Sequence, residues 1–320
     1  MTELRKIDLE DVRAARARIA GIAQRTPLVR LQVEDGAEIH LKLENLQPIG
    51  SFKIRGASNA MARIPQERLA RGVLTASAGN MAQGVAWCAR ERGVPCTVVA
   101  PDTAPATKLQ AIERLGGRVI REPFERWWQV FQDRAYPGVE GAFIHAFDDE
   151  DVIAGNGTIG LEILDDLPDP DAIVIPWGGG GLASGIGTAL RALRPGCRLF
   201  AAEVDTAAPL APSLAAGRPV QVDYRPSFVD GIGSRSVFPR MFERARVLLD
   251  GSLVASLAEV SGAVRHLAER NRVIAEGAGA CGVANALAGR AGRGRIVCVV
   301  SGGNIDASRL CATLAGDIPA

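Results

Sequence analysis

At 320 residues, 47% of them hydrophobic and 23% charged, the chain is long enough for about two domains or one large α/β unit, and its composition is that of an ordinary globular protein. Lys and Arg number 37 against 36 Asp and Glu, a formal charge of +1, with no basic block and no aromatic-basic interleaving; this argues against a nucleic-acid surface and for small molecules or further copies of the chain as partners. The start, Met1-Thr2-Glu3-Leu4-Arg5-Lys6-Ile7-Asp8, is charged where a signal peptide needs an apolar core, and no apolar stretch is long enough to span a bilayer, so the expectation is a cytoplasmic protein without membrane partners.

In chain order, Asp8 reads as an N-cap with Asp11 at N3, and Val12, Ala15 and Ile19 give a helical stripe to about Ala20. Extended chain follows at Thr26-Pro27-Leu28, residues 38–43 alternate as a strand, and a helix runs from Lys53 to about Ile64. A short strand over 72–76 enters Ser77-Ala78-Gly79-Asn80. Helices are predicted over 81–92, 105–115 and 125–134, with strands over 96–100, 118–121 and 142–144 between and after them. A second series has a helix over 151–166, an apolar strand over 171–177, a helix over 182–193 and a strand over 198–204. A helix over 258–271 and a strand over 295–300 close it. Strands alternating with helices, and strands that are apolar throughout, predict an α/β fold with parallel-type sheets covered by helices. The six cysteines, Cys88, Cys96, Cys197, Cys281, Cys298 and Cys311, form no CxxC pair, so neither a disulfide framework nor a zinc site is indicated. They read as small hydrophobes, most of them buried.

Four segments carry chemistry. In Gly50-Ser51-Phe52-Lys53 a lysine follows a tight glycine turn at a helix start, where it is either an exposed side chain or a reactive amine. Ser77-Ala78-Gly79-Asn80 lies where a strand meets a helix; it either caps that helix or clasps a carboxylate with its hydroxyl, amide and free N–H groups. Gly178-Gly179-Gly180-Gly181-Leu182-Ala183 joins a strand to a helix, and four glycines in a row favour an anion site over a packing turn, because they cost backbone entropy. The same run fits a dinucleotide fingerprint with Glu203 as ribose ligand, which opens a nicotinamide-dependent oxidoreductase reading. Gly155-Asn156-Gly157-Thr158-Ile159-Gly160 has that spacing but no preceding strand. The fourth segment is Val299-Val300-Ser301-Gly302-Gly303-Asn304-Ile305-Asp306.

Taken together and in this order, the run from Lys42 to Ala57, the 77–80 loop, the glycine turn and the terminal motif resemble the fold-type II pyridoxal phosphate (PLP) enzymes of the serine/threonine dehydratase (threonine ammonia-lyase) family. The resemblance covers nearly the whole chain and implies a tryptophan synthase β-like fold. It implies a large PLP-binding domain from residues 1–71 and 149–320, with a smaller mobile domain, 72–148, inserted. It implies that Lys53 is the catalytic residue and holds PLP as a Schiff base, with Phe52 beside the ring. Gly178, Gly179, Gly180, Gly181 and Leu182 would hold the phosphate, Asn80 the phenolic oxygen and Ser301 the pyridine nitrogen. Ser77, Ala78, Gly79 and Asn80 would take the substrate carboxylate. Gly231 near the cofactor and Glu276 match the family more loosely. The implied reaction is β-elimination of a 3-hydroxy amino acid, most simply L-threonine or L-serine, to a 2-oxo acid and ammonia by a homodimer.

The chain departs from the family at Met81, where a histidine is common. Some relatives hold a cation through a glutamate, a carbonyl and a second acid; here those positions are Glu203, Ala207 and Pro209, and loss of the last carboxylate weakens the case for a monovalent or divalent cation. Serine racemases carry a second base where Ala78 stands, so racemisation is expected to be minor. Only sixteen residues follow Asn304, and no isoleucine feedback is expected. His40, His145 and His266 have no metal-ligand spacing and read as structural or surface residues. Arg121-Glu122-Pro123-Phe124-Glu125-Arg126-Trp127-Trp128 either packs in the core or lines the pocket. In the pocket, the tryptophans would suit an aryl substrate such as 3-phenylserine, and Arg126 a β-carboxylate as in 3-hydroxyaspartate.

Overall fold

The computed structural model describes residues 6–33 and 37–319. The first helix, α1 (Leu9–Arg18), starts on a capping box in which Asp8 and Asp11 each accept the other's backbone N–H. Then come β1 (Leu28–Arg30), β2 (Glu38–Leu43), α2 (Lys53–Arg63), the single turn α3 (Gln66–Leu69), β3 (Val73–Ala76), α4 (Asn80–Glu91), β4 (Cys96–Pro101) and α5 (Ala106–Arg114). These lead to β5 (Arg118–Glu122), α6 (Phe124–Asp133), β6 (Ala142–Phe143), α7 (Glu150–Asp166), β7 (Ala172–Pro176), α8 (Gly181–Leu193) and β8 (Arg198–Val204). The last elements are α9 (Leu210–Ala216), α10 (Pro239–Leu248), β9 (Gly251–Ala255), α11 (Leu257–His266), α12 (Gly277–Leu287), β10 (Arg295–Val300) and α13 (Ala307–Ala315).

The strands form a six-stranded sheet, β1-β2-β10-β7-β8-β9, and a four-stranded sheet, β5-β4-β3-β6. All pairings are parallel except that of β1 with β2. Both sheets are covered on both faces, which is why β3, β7 and most of β4 and β10 read as continuous apolar runs. Successive residues feed opposite cores. In β7, Ile173 and Ile175 pack with α1, α7 and α8, while Ala172 and Val174 pack with α11 and α12. The four-stranded sheet divides its side chains in the same way. Five cysteines are buried and Cys311 is exposed, in agreement with their reading as core hydrophobes.

The principal differences from the predicted elements fall in the second half. The helix expected over 258–271 ends at His266 and widens into a π-type turn, Leu267–Asn271, before Arg272 at φ +60°. The sequence reading did not anticipate α9, α10, β9, α12 or α13. The Gly/Ala composition of α12 gives no amphipathic period, because the helix is buried all round. The 155–160 glycine run lies inside α7 as a packing surface. A Cβ on Gly155 would come within 2.5 Å of the Arg55 carbonyl oxygen, and one on Gly185 of α8 within 2.3 Å of the Ile153 carbonyl oxygen. The small residues let α2, α7 and α8 approach backbone to backbone.

Beneath α2 lies a buried charge cluster. Arg55 (1% exposed) donates to both oxygens of Glu44 at 2.8 Å and to Glu162 at 2.7 and 2.9 Å. Lys42 donates to Glu162 and to the Thr26 carbonyl, both at 2.6 Å. Thr158, Gln47 and the Thr26 hydroxyl fill remaining valences. Burial works against the Arg55 charge, but the Glu44 and Glu162 carboxylates overcome it and raise its pKa. The four charges cancel and fasten β2, the turn after it, α2 and α7 together. Arg55→Ala leaves two carboxylates buried without their main partner, and its expected cost is about 3–5 kcal/mol of unfolding free energy, measured by urea denaturation of the two proteins. A loss below about 1 kcal/mol, the range of an exposed pair, would show that the cluster does not hold the helix.

Candidate active site

The strand order decides what meets. β10 runs between β2 and β7, with Val300 opposite Leu43 and Cys298 opposite Val174, so the carboxyl ends of three neighbouring strands open on one crevice. Lys53 comes from beyond β2, Ser301 from the end of β10, and the 178–181 turn from the end of β7. The end of β3 in the other sheet brings in residues 77–80. Backbone bonds lock the crossing: Phe52 N–H donates to the Ser301 carbonyl at 3.0 Å, Gly303 N–H to Gly50 at 2.9 Å and Glu276 N–H to Gly302 at 3.0 Å. Gly279 permits it, since a Cβ there would sit 2.4 Å from the Gly302 carbonyl oxygen.

Lys53, Phe52, Ser77, Gly79, Asn80, the 178–182 turn and Ser301 line one cavity of about 230 Å³. The Lys53 Nζ donates to the Ala146 carbonyl at 2.8 Å and lies 5.2 Å from the centre of the Phe52 ring. Burial pushes its pKa down to about 8, against the opposing pull of Glu276. Burial, with repulsion from Asp230, pushes Glu276 up to about 7. Glu276 accepts the Asn80 side-chain amide at 2.8 Å, and Asn304 donates to the Asn80 side-chain oxygen at 2.8 Å, so Asn80 is held from both ends.

The glycine turn is shaped by its neighbours. A Cβ on Gly179 would lie 2.0 Å from the Phe147 ring, one on Gly180 2.4 Å from the Trp177 indole and one on Gly181 2.9 Å from the Phe147 carbonyl oxygen. Gly180 also has φ +88°, and it caps the thirteen-residue α8. Among the described residues, the N–H groups of residues 178–182 donate to no other backbone group, and the Ser301 hydroxyl has no hydrogen-bond partner. The turn could hold an anion at the positive end of the helix. At the start of α4, Ser77 accepts the Gly79 N–H at 3.2 Å, and no side chain caps the helix. Ala78 borders the adjoining aromatic cavity.

Other expected positions fare differently. Gly231 and Glu276 line the cavity. Glu203, the candidate cation or ribose ligand, lies away from it: its two oxygens accept the Leu210 and Ala211 N–H groups at 2.8 and 2.9 Å and the Ser252 hydroxyl at 2.7 Å. Its carboxylate is thus committed to the start of α9, and Ala207 beside it donates its N–H to Val204. Among the described residues no group of three or more His, Cys, Asp or Glu could hold a metal. Arg126 is exposed and lines none of the cavities around Lys53, which removes the motive for a β-carboxylate substrate. His145 is buried and burial pushes its pKa down to about 3; its Nδ1 accepts the N–H groups of Phe147 and Asp148 at 3.2 and 2.8 Å, so it shapes the turn that presents Ala146 and Phe147. The sequence reading missed Ala146 and Phe147. Their contributions are a carbonyl and a ring at a close approach, neither of which has a motif.

No helix among the described residues is long and apolar enough to cross a membrane. Residues 19–302 match the model of the family described as "Pyridoxal-phosphate dependent enzyme". An L-threonine ammonia-lyase of Thermotoga maritima is 40% identical over 310 residues, 95% of this chain and 77% of that protein. Maize serine racemase superposes with a TM-score of 0.88 at 32% identity over 97% of both chains. The processed form of threonine deaminase isoform 2 from Solanum lycopersicum superposes at 0.84 with 31% identity, over 97% of this chain and 94% of that one. The crevice, its amine and its glycine turn therefore belong to a fold-type II member of the pyridoxal-phosphate dependent enzyme family.

Proposed function

We propose that the chain is a PLP-dependent ammonia-lyase that eliminates water from a 3-hydroxy amino acid, L-threonine or L-serine, and yields a 2-oxo acid and ammonia. The observation that carries this reading is one cavity shared by the Lys53 amine, an amide-lined glycine turn, the Ser301 hydroxyl and the 77–80 loop. The relatives named L-threonine ammonia-lyase, alike over nearly the whole chain, support it.

The residues present fit PLP. The Lys53 amine would hold its aldehyde carbon, the free N–H groups of residues 178–182 its phosphate, the unpartnered Ser301 hydroxyl its ring nitrogen and Asn80 its phenolic oxygen, with Phe52 beside the ring. When bound, PLP supplies a conjugated ring that spreads the electron pair left at the substrate Cα. The N–H groups at the start of α4 and the Ser77 hydroxyl orient the substrate carboxylate. Lys53, desolvated and neutral above about pH 8, takes the Cα proton. The β-hydroxyl leaves with a proton as water, and hydrolysis of the released enamine gives the products. Ala78 has no proton to give to the other face of Cα, which sets this chain apart from a racemase despite the likeness to maize serine racemase. Residues 72–148 act as the smaller, mobile domain, and the working unit is a cytoplasmic homodimer. We assign no cation to Glu203.

Lys53→Ala is expected to lose the covalent hold on PLP, releasing it on dialysis where the wild type keeps it, and to release no 2-oxo acid from threonine or serine; turnover by this variant would remove Lys53 from the reaction. In the wild type, the neutral amine predominates above its lowered pKa. The rate at which the apoprotein captures PLP is therefore expected to rise with pH with a midpoint near 8. Stopped-flow absorbance across pH 6–11, run against Lys53→Ala, tests this, and a midpoint near the ordinary lysine value of about 10.4 would refute the burial argument.

A further inference from the structure

Beside the Lys53 cavity lies a second of about 280 Å³, and the two share Lys53, Ser77, Ala146, Phe147, Gly178 and Gly179 in their walls. A substrate with its carboxylate at the 77–80 loop and its Cα at Lys53 has the second cavity open to its β-substituent. The far wall is aromatic: Trp127, Trp128 and Phe131 from α6, Phe147 from the turn before α7, and Phe238. The rings are packed on one another. Trp128 stacks on Phe131 at 5.4 Å between centroids and 12° between planes, and Phe147 meets Phe238 edge to face at 5.1 Å and 71°. Phe131 is 5% exposed, and behind it the buried His145 ring, 4.4 Å away, fixes its position. Apart from Lys53 no cationic side chain lines this cavity, and its one acid, Asp230, is paired with Lys108 and Arg309 at 2.9 and 3.0 Å.

We propose that this cavity is a subsite for an aryl group on the substrate β-carbon, so that the chain dehydrates 3-arylserines. The proposal rests on the ammonia-lyase reading and names the side chain it serves. A cavity of about 150 Å³ is enough to take up benzene; this one is larger, and its wall adds Ser234 and Ser236 to the rings. The methyl group of threonine leaves most of it unfilled, whereas a phenyl ring would find the edges and faces of the wall rings to pair with. A carboxylate there would find no free cation. The chemistry is unchanged: the Cα–H and Cβ–O bonds of 3-phenylserine break, hydroxide leaves with a proton as water, and hydrolysis of the enamine gives the 3-aryl-2-oxo acid and ammonia, with no external oxidant or reductant.

The test compares kcat/KM of the PLP-loaded protein for 3-phenylserine and L-threonine. The expected result is a value for 3-phenylserine equal to or above that for threonine; a lower value, with threonine turned over, overturns the subsite and leaves the lyase reading standing. Turnover of neither substrate overturns the lyase reading itself. Trp128→Ala is expected to lower kcat/KM for 3-phenylserine tenfold or more while changing that for threonine less than threefold, and equal losses would show that the wall serves only the fold. Binding to the unaltered holoenzyme gives an independent readout. By calorimetry, L-phenylalanine, which has no β-hydroxyl to lose, is expected to bind at least tenfold more tightly than L-alanine, and equal or weaker binding overturns the proposal.

Discussion

The register of β10 between β2 and β7 is the constraint on which the site depends. A parallel sheet brings its strand ends to one edge, and this order makes neighbours of segments separated by more than two hundred residues in the chain. The Ser301 hydroxyl and the glycine turn lie just past the ends of β10 and β7, so their spacing follows from the inter-strand distance of about 4.8 Å, whereas Lys53, at the start of α2, is brought to them by the loop after β2. The bonds from Phe52 to Ser301 and from Gly303 to Gly50 then fix the lysine segment on the last strand.

Below this crossing, the Arg55 cluster meets a different demand. A reactive amine is more useful in a dry site, yet the helix that begins with it must be held against its neighbours. Two residues after Lys53 the chain places a permanent cation, answered by two carboxylates and a second cation, every one hydrogen-bonded. Such a cluster contributes less net stability than an apolar core of equal volume. It does fix direction: a guanidinium fork on two carboxylates admits one orientation of α2, and with it one position for Lys53.

Much of this was legible in the sequence, because glycine and strand-end signals survive as residue identities. Four glycines after an apolar strand, and Ser-Ala-Gly-Asn after another, mark places where backbone must approach something closely, and the structure brings both to the Lys53 cavity. The Glu203 signal was ambiguous because a carboxylate at a strand end looks alike whether it meets a cation, a ribose or, as in this structure, the bare amides of the next helix. The helix α12 gave no signal, since hydropathy patterns report an exposed face and it has none. Ala146 contributes only a carbonyl, which every residue possesses. The Trp127-Trp128 pair was ambiguous for a related reason: at helical spacing, rings that wall a cavity and rings that fill a core obey the same periodicity, and only the void beside them separates the two.

The contact between Phe147 and Gly179 has one more implication. Phe147 follows the four-stranded sheet in sequence, and Gly179 lies in the turn after β7 of the six-stranded one. A side chain at 179 would overlap the ring, so the residue that opens the glycine turn also lets the segments following the two sheets meet this closely.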